Sequence, residues 1–155
     1  MRFAPEYSAS SVLSDKLRAA DDMTRELMAE ALAVTCRRAP FQGHSAKVLR
    51  LNQLAAAYAW TDAALALIEL ELPFWHVRRI AYDAGEWYCA VSRQRELPDW
   101  LDQSIEARHP DLALAILIAF VEAQRATAPR SSTSVPEAFS RPSSNYIRVC
   151  CDNFA

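Results

Sequence analysis

Pro110-Asp111-Leu112-Ala113-Leu114-Ala115-Ile116-Leu117-Ile118-Ala119-Phe120-Val121 is the stretch that decides the fold. Past its first two residues every position is apolar, so the helix it forms, read as Pro110 to about Ala126, needs cover on most of its surface. Pro110 suits the first helical position, where a missing N–H costs nothing. The run ends at Val121, well short of the about 20 apolar residues a membrane-spanning helix needs. It reads as a buried helix, and what covers it is the question the rest of the chain has to answer.

Upstream, residues 75–82 and 87–93 are rich in aromatic and β-branched side chains and flank Asp83-Ala84-Gly85. This predicts a two-stranded antiparallel hairpin with a three-residue loop, a type I turn closed by Gly85 in the left-handed region. That register pairs Ala81 with Trp87, Arg79 with Cys89 and Val77 with Val91. It puts Trp75, Val77, Ala81, Trp87, Cys89 and Val91 on an apolar face, and His76, Arg78, Ile80, Tyr82, Tyr88, Ala90 and Ser92 on the other. Between hairpin and helix, residues 97–108 read as a connection with short helical turns around Asp99-Trp100-Leu101.

Before the hairpin the pattern is helical. Leu27, Ala31 and Val34, with Met28 and Leu32 beside them, make one apolar face of a helix that starts between Ser14 and Asp22, with Ser14 or Asp21 as cap, and stops at Pro40. Val48, Leu51, Leu54, Ala55 and Tyr58 form the stripe of a second helix that Ser45 caps. Thr61-Asp62 opens a third, which Pro73 terminates because the residue before a proline disfavours the α region. Residues 1–22 are weakly patterned and read as a loosely ordered extension. The strong pattern begins at Met23, which leaves Met1 and Met23 both open as the translation start. Residues 127–155 are rich in Ser and Pro and read as a mostly disordered tail, with a weak alternation at 146–151. The single domain is then 23–126, with the hairpin at 75–93.

Composition removes several function classes. The chain has 155 residues, 52% hydrophobic, and a net charge of −2, which is not the footprint of a nucleic-acid binder. Only two glycines occur, Gly43 and Gly85, so neither a dinucleotide-binding nor a Walker A loop can be written. Of the four cysteines, Cys36 and Cys89 sit inside apolar segments, and Cys150 and Cys151 are adjacent in the tail. With no C-x-x-C and no continuous apolar leader, the expected compartment is the reducing cytoplasm.

The remaining chemistry is thin. His44, His76 and His109 are far apart and lack metal-type partners at i+3 or i+4, so no metal or cofactor is expected. Cys89 and His76 fall on opposite faces in the expected register, which argues against a nucleophile–base pair. Glu106 and His109, three apart, read as a local salt link at a helix boundary. The four tryptophans, Trp60, Trp75, Trp87 and Trp100, read as core anchors rather than a stacking platform. A helix-turn-helix is disfavoured because the segment from Asp62 to Leu72 carries acids and no Lys or Arg.

Trp60-Thr-Asp-Ala-Ala-Leu-Ala-Leu-Ile68, Leu72-Pro-Phe-Trp75, Gly85-Glu-Trp87 and Glu106-Ala-Arg-His-Pro-Asp-Leu-Ala-Leu-Ala-Ile116 resemble small uncharacterised alphaproteobacterial proteins. Over residues 61–125 they also resemble the phage ABA sandwich domain. The resemblance implies a helix–hairpin–helix module of phage-like origin. Its motifs are packing residues, so it transfers no catalytic residue.

The expected protein is therefore α+β, mostly helical, with one two-stranded antiparallel β-hairpin packed against helices. The first expectation for its role is a non-enzymatic interaction or scaffold protein with a protein partner. The second is a regulatory nucleic-acid binder using Arg37, Arg38, Lys47 and Arg50. The third is a small enzyme with a site around His76, Arg78 and Tyr88. Because one hairpin face is too small to cover the apolar helix, a homodimer is expected, with Leu114, Leu117, Ile118 and Val121 near its seam.

Overall fold

The computed structural model describes residues 5–37, 45–93 and 104–127. In chain order the elements are α1 (Pro5–Ala19), α2 (Arg25–Thr35), α3 (Ala46–Ala56), α4 (Trp60–Glu71), β1 (His76–Asp83), β2 (Glu86–Ser92), β3 (Ile105–His109) and α5 (Leu112–Thr127). The α+β class holds, but the hairpin is part of a three-stranded antiparallel sheet of order β1-β2-β3.

The apolar helix is the centre of the molecule. Ala113 to Val121 and Ala123 of α5 are all buried. β2 and β3 pack on one side of it, while α1 and α4 close the rest. Cover that the sequence left to a second copy is thus supplied within the chain. Leu114, Leu117, Ile118 and Val121 are each 0% exposed, so the expected dimer seam is interior and cannot touch a partner.

α1 corrects the expectation of a loose segment at residues 1–22. Leu13 and Leu17, one turn apart, are buried, and the Ser14 hydroxyl donates to Glu122 of α5 at 2.9 Å. Arg18 pairs with the same carboxylate at 3.5 Å. Serines lower the helix propensity of this stretch, and packing against α5 outweighs that. α2 starts later than expected: Thr24, not Ser14 or Asp21, accepts the Leu27 N–H at 3.2 Å. Ser45 caps α3 as expected, accepting from the Val48 N–H. α2 also ends earlier than the expected stop at Pro40, at Thr35 with Cys36 as its cap, while the helical turns at 99–101 and the tail beyond Thr127 lie outside the described residues.

The turn also differs. Ala84 and Gly85 both hold positive φ, 51° and 90°, which makes a two-residue type I′ turn rather than a three-residue loop. Tyr82 therefore pairs with Trp87, Ala81 with Tyr88, Ile80 with Cys89 and Arg79 with Ala90. A bulge between Val77 and Arg79 shifts the register by one and restores the expected Val77–Val91 pair. Ile80 and Tyr82 thus move to the face of Trp87 and Cys89, and Ala81 joins Tyr88.

β3 replaces the end of the expected connection. Ile105, Ala107 and His109 face inward, and Glu106 and Arg108 stand exposed. Asp111 precedes the first residue of α5 and caps it, its Oδ1 accepting from the Leu114 N–H at 3.1 Å. Pro110 accordingly lies outside the helix.

Candidate binding cleft

Three chain breaks meet at one end of the layers: the α1–α2 corner, the α3–α4 corner and the β3–α5 corner. Asp111 and His109 tie two of them together. Asp111 Oδ2 accepts the Met23 N–H at 3.1 Å, in addition to the cap bond. The His109 ring is buried, accepts the Asp111 N–H on Nδ1 at 2.9 Å and donates from Nε2 to the Ala20 carbonyl at 2.9 Å. Both ring nitrogens are thus used in holding backbone. The expected salt link between His109 and Glu106 does not form, because residues three apart on a strand point to opposite faces.

The α3–α4 corner is a Schellman turn. The Ala59 N–H donates to the Leu54 carbonyl at 3.0 Å and the Tyr58 N–H to Ala55 at 3.3 Å. The residue in the left-handed position of such a turn is usually glycine. Here it is Tyr58, at φ 59° and 57% exposed. Its ring meets Trp60 nearly at right angles, 87°, with centroids 5.3 Å apart. Such an edge-on contact is a favourable aromatic geometry. An Arg25 nitrogen lies 3.4 Å from the Tyr58 hydroxyl, at the outer edge of the ring.

These corners enclose an open cleft of about 520 Å³. Tyr58, Trp60 and Trp87 supply aromatic walls, and Asp22, Asp62 and Asp111 supply carboxylates, with no Lys or Arg among the lining residues. Asp111 is occupied by backbone N–H groups. Asp22 and Asp62 are exposed and have no hydrogen-bond or ion-pair partner among the described residues. Sequence reasoning missed this cleft. It placed Tyr58 in a buried stripe and Trp60 and Trp87 in the core. The available signal was two aromatics straddling a helix break, Tyr58 and Trp60, with an acid two residues further on at Asp62.

The residues singled out from the sequence do not assemble. His76 pairs with Ser92, while Tyr88 pairs with Ala81, so the two lie four residues apart along the sheet, about 13 Å. Arg78 sits at the bulge, exposed. The third expectation therefore loses its constellation. Tyr88 lies instead between Arg79 and Arg108, whose guanidinium carbons are 5.9 and 5.3 Å from its ring centroid. Partial burial, then hydrogen bonding to Glu106, pushes its hydroxyl up to about 12. Cys89 is fully buried and its thiol is pushed up to about 11 by that burial, while His76 is exposed, so no nucleophile–base pair exists there. Arg37 is exposed just after α2, and Lys47 and Arg50 are exposed one turn apart on α3. Arg38, His44, Trp100, Cys150 and Cys151 lie outside the described residues.

Trp75 is a core anchor, buried and donating from Nε1 to Thr127 at 3.1 Å. Among the described residues no cluster of three His, Cys, Asp or Glu is placed to hold a metal ion, and no helix is long and apolar enough to cross a membrane. Comparison with protein-family models, curated proteins and solved structures found no match.

Proposed function

We propose that this chain is a small non-enzymatic interaction protein that docks a partner protein in the cleft between the α3–α4 and β3–α5 corners. The observation that carries the proposal is Tyr58. Fold stability alone favours glycine at its position, since the left-handed region costs an L-residue about 1 kcal/mol. An edge-on aromatic pair returns a similar amount, about 1 kcal/mol. The exposed Arg25 contact, 3.4 Å from the hydroxyl and 6.0 Å from the ring centroid, adds at most about 1 kcal/mol, so folding gains little from a large exposed ring at the cleft mouth, which suits a binding residue.

Comparison of wild type with Tyr58→Gly tests the proposal. Thermal unfolding of the two is expected to agree within about 1 kcal/mol. Immobilised wild type is expected to retain a stoichiometric partner from its native host that Tyr58→Gly recovers at least about tenfold less well. Equal recovery by both proteins overturns the proposal.

Nucleic-acid binding ranks behind this reading, because Lys47 and Arg50 belong to a chain of net charge −2. A cytoplasmic location accompanies the proposal and rests on the free thiols of Cys36 and Cys89. The likeness to the phage ABA sandwich domain also belongs to it, resting on a helix, hairpin and helix in the order α4, β1–β2 and α5, from which the added strand β3 between β2 and α5 departs. Self-association is kept as a proposal for the sheet edges alone, since α5 is interior. A mass of 17.4 kDa unmoved by concentration in sedimentation equilibrium removes it.

A further inference from the structure

We infer that the cleft recognises an organic cation, presented as a lysine or arginine side chain of the partner polypeptide. The inference rests on the interaction reading above and adds the chemistry of what enters.

Charge decides the sign of the ligand. The N-termini of α4 and α5 both border the cleft, each contributing about half a positive charge. Alone they would favour an anion. Three carboxylates oppose them: Asp62 in the first turn of α4, Asp111 capping α5, and Asp22. The balance is about two negative charges, with no cationic side chain lining the cavity. An anion would be repelled.

The walls decide the kind of cation. Strongly hydrated metal ions need several converging oxygen ligands, and Asp111 is already spent on the Met23 and Leu114 N–H groups. Trp60 and Trp87, with Tyr58 beside them under Arg25, instead supply aromatic and apolar area, which suits an ammonium or guanidinium on an aliphatic stem. The exposed carboxylates of Asp22 and Asp62 are then left to accept its N–H groups. Arg25 is not among the lining residues, but its guanidinium carbon lies over the Tyr58 ring, 6.0 Å from the centroid, and its nitrogen lies 3.4 Å from the hydroxyl, so Tyr58 already carries one guanidinium of the chain itself. Its placement favours entry from the side away from α2.

The inference is tested on the full chain by two-dimensional NMR of the tryptophan indole N–H groups, with Trp60→Leu and Trp87→Leu used to assign them. The probes are acetyl-Gly-X-Gly-amide peptides in which X is arginine, lysine, trimethyl-lysine, citrulline or norleucine, together with free ethylguanidinium. The cationic peptides are expected to shift the Trp60 and Trp87 signals with a Kd on the order of 1 mM or tighter. Asp62→Asn is expected to weaken them about tenfold, and raised salt to weaken them further. The citrulline and norleucine peptides are expected to be at least about tenfold weaker than the arginine and lysine peptides. Neutral and cationic peptides binding alike would leave the cleft as a docking site and overturn the cation. Ethylguanidinium binding as tightly as the arginine peptide would assign the cleft to a free small cation and overturn the polypeptide source. No shift from any probe at about 10 mM would overturn the cation, while the Tyr58→Gly comparison in host extract decides separately whether the docking reading also fails.

Discussion

Of the described residues, Tyr58, Ala84 and Gly85 hold positive φ, and the three have different causes. Gly85 is there because a type I′ turn requires it. A Cβ at Gly85 would meet nothing within 4 Å, so any cost of replacement is in the backbone. Ala84 shares the turn and bears the strain without a packing return, being exposed. Asparagine tolerates this region better and is the usual partner of glycine in such turns. Ala84→Asn is therefore expected to stabilise by about 0.5–1 kcal/mol, and Gly85→Val to destabilise by about 1 kcal/mol or more. Urea unfolding at unchanged m-value measures both. A loss of stability in Ala84→Asn would remove the type I′ assignment, and with it the register at the turn end. Tyr58 holds the left-handed position of a Schellman turn, and differs from Ala84 in that its ring also lines the cleft.

At the scale of elements, α1 and β3 separate what patterning can reveal from what packing decides. α5 was legible because an all-apolar run has few other uses. The α2, α3 and α4 segments were legible from their period and from Ser45 and Pro73. The hairpin was legible, but its register was not: Asp83-Ala84-Gly85 reads equally as a three-residue loop, and the bulge at Arg78 leaves no mark in the alternation. β3 was missed because Ile105-Glu-Ala-Arg-His109 is short and carries two charged residues, although Pro110 biased His109 toward extended backbone. α1 was missed because its serines mask a stripe as sparse as Leu13 and Leu17. The cleft was missed because its parts come from three corners distant in sequence. The docking of α1 is measurable. Leu17 is 0% exposed, so Leu17→Ala is expected to cost about 2–5 kcal/mol. Val12, at 49% exposed on the same helix, is expected to tolerate Ala within about 0.5 kcal/mol. Similar small effects at both positions would mean that α1 is not held, and that a chain starting at Met23 folds as well.

For the whole molecule, a central helix with the sheet on one side and helices closing the rest has a consequence for stability against pH. Cys89 is sealed between the sheet and α5, and burial pushes its thiol from 9.0 up to about 11. Cys36, at the end of α2, is also pushed to about 11, first by burial and then by the Glu71 carboxylate. In both cases the native state holds the proton more tightly than the unfolded chain does. The stabilisation is complete below about pH 9, where both states are protonated, and is lost as the pH rises toward 11. The urea midpoint of the wild type is therefore expected to be insensitive to these thiols through neutral pH and to fall above pH 9. Cys89→Ala removes an ionisable group at the cost of a small cavity, so its midpoint should be lower at neutral pH and fall less steeply on the alkaline side. The difference between the two curves isolates the thiol from the tyrosines and lysines that titrate in the same range. Parallel curves would mean that Cys89 ionises as freely in the folded protein as in the unfolded one, and that water reaches the layer between the sheet and α5.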